Sequence, residues 1–394
     1  MVLDEIVLPA RDHDEFFNSI SAFFPGNPTY HEIIRQLRFT DGTRNNALQR
    51  DFGRTLRGKR VYVVASPRSG DTADVDRTTL YHLFKNVCMV ASQCGAREVI
   101  AVPEEHFFGR CEREELLEEP TMAAQVAKEF RDAGVTEVIT LAIHSQKQYT
   151  YYRRAYGVNG RRILHSLDPA IIQTHIIVNK LRENNLMGRN MVLVRVDEGA
   201  SRHVSPHRDL LVNQYGFKES QIRVAEFIKH RRIPNDHASI ESKLVSAMPK
   251  LDGCLLVYFD DFFDTGGSVV SNLEDIANLK RGQPAYVFAA MPHGLLYKNA
   301  HKIIKAMGIN LIASTSNPTR RTKPQIEGLP ITWYDAAPYF FEEMRRGIRE
   351  GIPPEKLFTP KNYPTWSVHD LYKIVQAPAN LEPYHPDFSL HALM

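Results

Sequence analysis

The chain reads as an α/β protein built from two successive doubly wound units, and three observations point there. Short β-rich apolar runs alternate with helix-length segments along most of the 394 residues. Alternation at this spacing favours right-handed crossovers and a parallel sheet in each half. The length suits two domains of ordinary size, each with its own core. In the second half, one apolar run closes in acidic residues and then in Thr-Gly-Gly-Ser, the order of a buried strand, an anion-binding turn and a helix start.

Taken in order, residues 60–65, 98–102 and 137–141 are expected as parallel strands of the first half, and 191–196, 255–259, 285–289 and 310–313 repeat that grammar in the second. Residues 168–183, with Ile171, Ile172, His175, Ile176, Ile177 and Leu181 near helical spacing, form an expected helix joining the halves. The expected domains are 1–160, 161–335 and a C-terminal region of 336–394. That last region begins with an amphipathic helix over 339–350 and continues through Pro353, Pro354, Pro360, Pro364, Pro378, Pro383 and Pro386, which disfavour regular structure. Trp366, Tyr372, Tyr384, Phe388 and Leu390 predict that part of this tail packs on the folded body.

Composition excludes several classes of function. Forty-nine Lys and Arg against 46 Asp and Glu give a net charge of +3, too balanced for nucleic-acid or membrane binding through the overall field. Any anion site must be local. The four cysteines lack metal-ligand spacing, so neither zinc nor disulfides are expected. Without a basic-then-apolar N-terminus, or any run near the eighteen or so residues of a membrane span, a soluble cytoplasmic protein is expected.

The most informative segment is 255–270. Gly266 and Gly267 let the backbone approach an anion, the turn amides and helix N-terminus face it, and Thr265 and Ser268 add hydroxyl donors. Asp260 and Asp261 emerge at the carboxyl end of the strand, where such sheets bind ligands and where carboxylates hold sugar hydroxyls or hydrated magnesium. Asp-Thr-Gly-Gly alone is a common turn. Behind an apolar strand and an acidic pair, the same loop addresses a sugar and its phosphate together.

This segment resembles the phosphoribosyl-diphosphate motif of type I phosphoribosyltransferases and of ribose-phosphate pyrophosphokinases. Four further segments follow the order of the pyrophosphokinases and extend the resemblance over roughly residues 36–360. Arg38-Phe39-Thr40-Asp41-Gly42-Thr43, by itself a turn sequence, resembles the segment that contacts ATP from a neighbouring subunit. Phe107-Phe108-Gly109-Arg110-Cys111-Glu112-Arg113 stands where the family contacts ATP, with Cys111 in place of the usual glutamine and an acidic continuation similar to the plant-type branch. Leu141-Ala142-Ile143-His144 is similar to the strand whose terminal histidine meets ATP and its magnesium; alone, such a histidine is more often structural. Val196-Asp197-Glu198-Gly199 resembles a Pro-Asp-x-Gly turn, with Asp197 as a second metal carboxylate and Val196 in place of the proline.

Lys229-His230-Arg231-Arg232 separates the two families. Alone it reads as a solvated basic face. The pyrophosphokinases carry Lys-x-Arg on a mobile loop over the triphosphate, and Lys229 and Arg231 have that spacing, although 230–232 gives another register. The resemblance therefore implies two tandem type I phosphoribosyltransferase-like domains, each a mainly parallel sheet flanked by helices. It implies Mg2+-dependent transfer of the β,γ-diphosphoryl group of ATP to the anomeric hydroxyl of ribose 5-phosphate, in a homo-oligomer. Lys229 and Arg231 would act catalytically, and Asp260, Asp261, Asp264, Thr265, Gly266, Gly267 and Ser268 would bind ribose phosphate. Phe39, Asp41, Arg110 and Glu112 would bind ATP, and His144 and Asp197 the metal. The alternatives are a phosphoribosyltransferase, a diphosphokinase for a larger acceptor such as ADP-ribose, and a non-catalytic regulatory relative.

Overall fold

The computed structural model describes residues 5–11, 14–38, 40, 44–66, 76–111, 120–196, 201–231, 240–314, 328–341, 344 and 383. The chain divides into two compact units, one running to Asp168 and taking in the segment from Ala336, the other spanning Pro169–Asp335.

The first unit threads β1 (Glu5–Pro9), α1 (Glu15–Ser21), α2 (Tyr30–Ile33), a hairpin of β2 (Ile34–Arg38) and β3 (Arg44–Leu48), α3 (Arg50–Thr55), β4 (Arg60–Ala65), α4 (Arg77–Gln93), β5 (Glu98–Pro103), α5 (Met122–Asp132), β6 (Glu137–Leu141), α6 (Lys147–Tyr156) and β7 (Leu164–Leu167). Five of these strands form a sheet in the order β1-β4-β5-β6-β7, all neighbours parallel. The antiparallel hairpin β2–β3 is a separate two-stranded sheet.

The second unit opens with α7 (Ala170–Glu183) and continues through β8 (Met191–Arg195), α8 (Ser201–Asn213), β9 (Ile222–Arg231), β10 (Ile240–Leu244), β11 (Leu255–Phe259), β12 (Phe262–Phe263), α9 (Gly267–Asn278), β13 (Tyr286–Ala290), β14 (His293–Gly294), α10 (Ala300–Met307), β15 (Ile309–Ser314) and β16 (Ile331–Tyr334). Its sheet has the order β10-β9-β8-β11-β13-β15-β16, with β10 antiparallel to β9 and the other pairs parallel. Without the hairpins, both sheets follow one plan, with the first strand beside the second and each later strand added outward. The two parallel sheets flanked by helices agree with the fold class expected from the sequence.

Burial explains the apolar runs. β11 lies between β8 and β13, and all five of its residues are buried, as a parallel strand covered on both faces requires. Each fully buried Phe or Leu of this kind contributes about 1.5–3 kcal/mol. Its core partners include Val192 and Val194 of β8, Val287 and Ala289 of β13, and Val269, Leu273 and Ile276 of α9. Of the strands unmarked in the sequence, β7 reads Leu-His-Ser-Leu and β9 carries charged residues along its length, whereas β1, Glu-Ile-Val-Leu-Pro, is as long and as buried as expected strands such as β6. No helix among the described residues is long and apolar enough to cross a membrane, and all four cysteines are free.

Candidate functional site

The carboxyl end of β11 carries the expected loop. Asp260 is half-buried and Asp261 buried at 3% exposure; the Asp261 amide donates to Asp260 Oδ1 at 3.0 Å, fixing that carboxylate against its own turn. Gly266 then takes the left-handed conformation, φ +82°, directly before α9. A Cβ there would lie 3.2 Å from the Phe263 ring and 3.4 Å from Ile303, so both conformation and space select glycine. Gly267 N–H donates to Thr265 Oγ1 over a long 3.4 Å, and no side chain caps α9. A Ser, Thr or Asp cap is ordinarily worth about 1 kcal/mol to a helix. Here the first-turn donors instead face the loop, as in an anion site at a helix N-terminus.

A second segment, unmarked in the sequence, holds this loop in shape. β12 and β14 pair in parallel, the His293 amide donates to the Asp261 carbonyl at 3.1 Å, the Leu295 amide to Phe263 at 2.9 Å and the Tyr297 amide to Asp264 at 3.0 Å. The carbonyls of Asp261, Phe263 and Asp264 are thereby fixed by the 293–297 strap. Gly294 is required for the close approach, since a Cβ would come 2.9 Å from the Ala313 Cβ.

Helix α8 supplies groups that sequence reasoning missed. One donor atom each from His203, Asp260 and Asp261 lie within 4.8 Å of one another. Arg202 Nε donates to His203 Nε2 at 3.0 Å, and another Arg202 nitrogen lies 3.9 Å from Asp261 Oδ2. One helical turn later, buried His207 stacks on Phe259 with ring centroids 3.8 Å apart, and its Nδ1 lies 2.7 Å from Thr174 Oγ1. Burial, reinforced by His203, holds His207 well below the usual histidine range and therefore neutral. No local pattern marks these residues; strand-to-helix packing brings them to the acidic pair.

The remaining expected residues fall elsewhere. His144 is half-buried in the turn after β6, where Ala142 has a left-handed φ of +46° and the Ile143 amide donates to Ser166 Oγ at 3.0 Å. Arg110 is exposed on a loop whose base is braced in three places. Gln148 Nε2 donates to the Gly109 carbonyl at 3.1 Å, His106 Nε2 lies 2.8 Å from Tyr152 Oη, and Arg77 donates to Glu105 at 2.7 Å. Burial lowers His106 to about 4, so it is a neutral part of this brace. The backbone of Lys229 and Arg231 lies at the end of β9, in register with Ser242 and Ile240 of β10, so Lys-x-Arg stands on a hairpin arm that adjoins the main sheet. Phe39, Asp41, Glu112 and Asp197 lie outside the described residues.

The two sheets of one plan are those of phosphoribosyltransferase-like domains, and an uncapped helix behind a left-handed glycine and an acidic strand end give them a candidate anion site at the end of β11. No family model matches the chain. It is 24% identical over 325 residues to the ribose-phosphate pyrophosphokinase of Aquifex aeolicus, covering 82% of this chain and 89% of that protein. It is 20% identical over 299 residues to that of Fusobacterium nucleatum, covering 76% and 82%. The phosphoribosylpyrophosphate synthetase structure from Mycobacterium smegmatis superposes with a TM-score of 0.68 at 16% identity, over 88% of this chain and 99% of that one. Over most of its length the chain is thus similar to enzymes named ribose-phosphate pyrophosphokinases, and it shares the fold of a phosphoribosylpyrophosphate synthetase.

Proposed function

We propose that this enzyme transfers the β,γ-diphosphoryl group of ATP to the anomeric hydroxyl of ribose 5-phosphate, giving phosphoribosyl diphosphate and AMP. The observation that carries the reading is the uncapped α9 N-terminus behind Gly266, directly after the Asp260–Asp261 pair. Amides of the first helical turn and the Thr265 and Ser268 hydroxyls cradle the 5-phosphate, a dianion that the helix N-terminus favours by its dipole. Asp260 and Asp261 then orient the ribose hydroxyls, and Asp264 fixes the turn and the sugar against the strap at Tyr297.

The anomeric oxygen attacks the β-phosphorus, the bond to the α-phosphate oxygen breaks, and AMP leaves. Negative charge accumulates on the polyphosphate, so preplaced cations lower the barrier without a covalent intermediate. Lys229 and Arg231, two residues apart on β9, are assigned that role. Arg110, Glu112, Phe39 and Asp41 hold the nucleotide, and the chain assembles as a homo-oligomer. Magnesium, when bound, screens the triphosphate and fixes its geometry; oxygen-rich donors flanked by a histidine suit such an ion, and His144 with Asp197 are assigned to the nucleotide's metal.

Incubation with ATP, Mg2+ and ribose 5-phosphate, followed by mass spectrometry and phosphorus NMR, is expected to give AMP and phosphoribosyl diphosphate in equal amounts. ADP as the nucleotide product would refute diphosphoryl transfer. AMP formed only with ADP-ribose would replace the acceptor, and no product with any sugar phosphate would favour a regulatory relative.

A further inference from the structure

We propose that the exposed face of α6 and the turn after it bind single-stranded nucleic acid through its phosphates, apart from the ribose-phosphate site. Charge pattern is the first observation. From residue 138 to 167 the chain carries no Asp or Glu, while Lys147, Arg153, Arg154 and Arg161 are all exposed. Among the described residues none of the four has an ion-pair partner. The carboxylates of the preceding elements are engaged elsewhere. In α5, Glu129 pairs with Lys85 at 2.6 Å and Asp132 with Arg131 at 2.7 Å, and in β6, Glu137 lies 3.2 Å from His165 Nε2.

Helix chemistry accounts for part of this pattern only. Arg153 and Arg154 stand in the last turn of α6, where the helix dipole favours cations, but Lys147 is its first residue, at the end that favours acids. No acid stands three or four residues from any of them to pair along the helix. Lys147 and Arg154 lie ~10 Å apart along the axis, so their fields overlap at ordinary salt, where the screening length is about 8–10 Å.

The fourth cation is built into place. Gly160 opens a 3-10 turn, Gly160–Arg162, packed so closely on α6 that a Cβ there would lie 1.8 Å from the Tyr149 carbonyl oxygen. Asn159 Oδ1 accepts from the Arg161 amide at 3.0 Å, Arg161 Nη2 donates to Gln146 Oε1 at 3.0 Å, and the guanidinium lies over the Tyr149 ring, 4.4 Å from its centroid. A guanidinium held flat on an aromatic face gives up little freedom when it meets a phosphate.

The partner follows from the shape and from what the face lacks. Val158, 41% exposed, is the exposed large apolar side chain among its described residues, so the face has no apolar centre of the kind on which protein partners close. Nucleic-acid interfaces are more polar and far more basic. Gln148, Tyr152 and Ala155 are buried and the Gly160 turn lies alongside, so α6 does not stand clear to enter a duplex groove. A flexible single strand can follow it.

Fluorescence anisotropy with the full chain and a labelled oligouridylate of about twelve nucleotides tests this. With four phosphates engaged, log K is expected to fall against log salt with a slope of about −3, a loss of ~50-fold between about 50 and 200 mM salt. Arg153→Gln with Arg154→Gln is expected to weaken binding about tenfold and bring the slope to about −1.5. Arg161→Gln is expected to weaken it about threefold. Lys280→Gln with Arg281→Gln, an exposed pair in the second unit, is expected to change neither affinity nor slope. A changed slope at an unchanged melting temperature separates lost phosphate contacts from misfolding. No binding, a slope near zero, or an equal loss in the second-unit pair would overturn the proposal. A polyglutamate peptide of equal charge that displaced the strand as well as unlabelled oligouridylate does would replace nucleic acid with an acidic protein partner. The AMP-release assay stands apart, since either result can fail while the other holds.

Discussion

The two units reach the same point in their sheets and treat their backbone donors in opposite ways. At the end of β4 in the first unit, the Ser66 amide donates to Asp14 Oδ2 at 3.0 Å, the same carboxylate accepts from Phe17 at 3.1 Å, and Arg11 beside it donates to the Ser66 carbonyl at 3.3 Å. The following helix, α4, is capped by Asp76, whose Oδ1 accepts from the Thr79 amide at 2.8 Å. Internal carboxylates thus take the donors that an anion would need. At the end of β11 the loop carries glycine where α4 has its aspartate, and no side chain caps α9. Among the described residues, one sheet plan gives a strand end and helix start satisfied by side chains in one unit and an uncapped helix N-terminus in the other, the one proposed to take the phosphate.

The hairpins extend the comparison and give the largest expected effect. β2–β3 and β9–β10 each follow the first strand of their sheet, but only β9–β10 continues that sheet. Lys229→Ala is expected to lower turnover about 100- to 1,000-fold, on the scale of losing one preplaced transition-state donor, with the KM for ribose 5-phosphate within about twofold. Asp41→Ala, beside the other hairpin, is expected to act on the KM for ATP instead. Steady-state kinetics with each substrate varied decides this, and equal weakening of both substrates by Lys229→Ala would remove the assignment.

Acid is expected to act on both units, through different histidines. Burial lowers His106 in the first unit and His175 in the second to about 4, and His207 well below its ordinary value. Each unfolded histidine titrates near the ordinary value of about 6.5, so the unfolded chain binds more protons between that pH and about 4. Stability is complete above about pH 6.5 and falls as pH drops toward 4. His106, being fully buried, accounts for a loss on the order of 3 kcal/mol over that window. Thermal melts at pH 7 and 5 check the direction, and a His106→Gln protein should show a flatter profile. A melting temperature that rises on acidification would contradict it.

Smaller effects test the cradle itself. Gly266→Ala places a side chain at φ +82° and against Phe263, costing about 1–2 kcal/mol of local strain. The KM for ribose 5-phosphate is expected to rise about tenfold, with ATP little affected. Asp76→Ala removes the α4 cap and is expected to cost about 1 kcal/mol of stability without changing that KM. If Asp76→Ala shifted ribose 5-phosphate binding as strongly as Gly266→Ala does, the contrast between capped and uncapped helices would lose its meaning. Calorimetry and initial rates on the two proteins side by side make the comparison direct.

Much of this was legible in the chain. The seven expected strands appear as β4, β5, β6, β8, β11, β13 and β15 within a residue or two, because strands buried on both faces must be apolar throughout. The expected helix over 168–183 appears as Ala170–Glu183, and residues 337–341 are helical near the expected start of the C-terminal helix. The loop from Asp260 to Ser268 was legible because a left-handed turn packed against Phe263 demands glycine. The strap at 293–297 was not, since its work is done by backbone amides that any residue carries. The same holds for Asp14, whose three-residue spacing from Arg11 says nothing of Ser66, 52 residues further on.

The local order of residues alone determined the α/β class, the glycine turn before α9 and the acidic strand end, because each depends on periodicity or on the conformational freedom of glycine. Only the tertiary structure decided that α8 sets Arg202 and His203 against Asp260 and Asp261, and that the strap fixes the turn from outside. Those contacts join segments up to 59 residues apart, as Arg202 and Asp261 are, and form only when helices and strands pack. Long-range packing, which leaves no periodic trace in a sequence, therefore chose the neighbours of the site after local chemistry had chosen its centre.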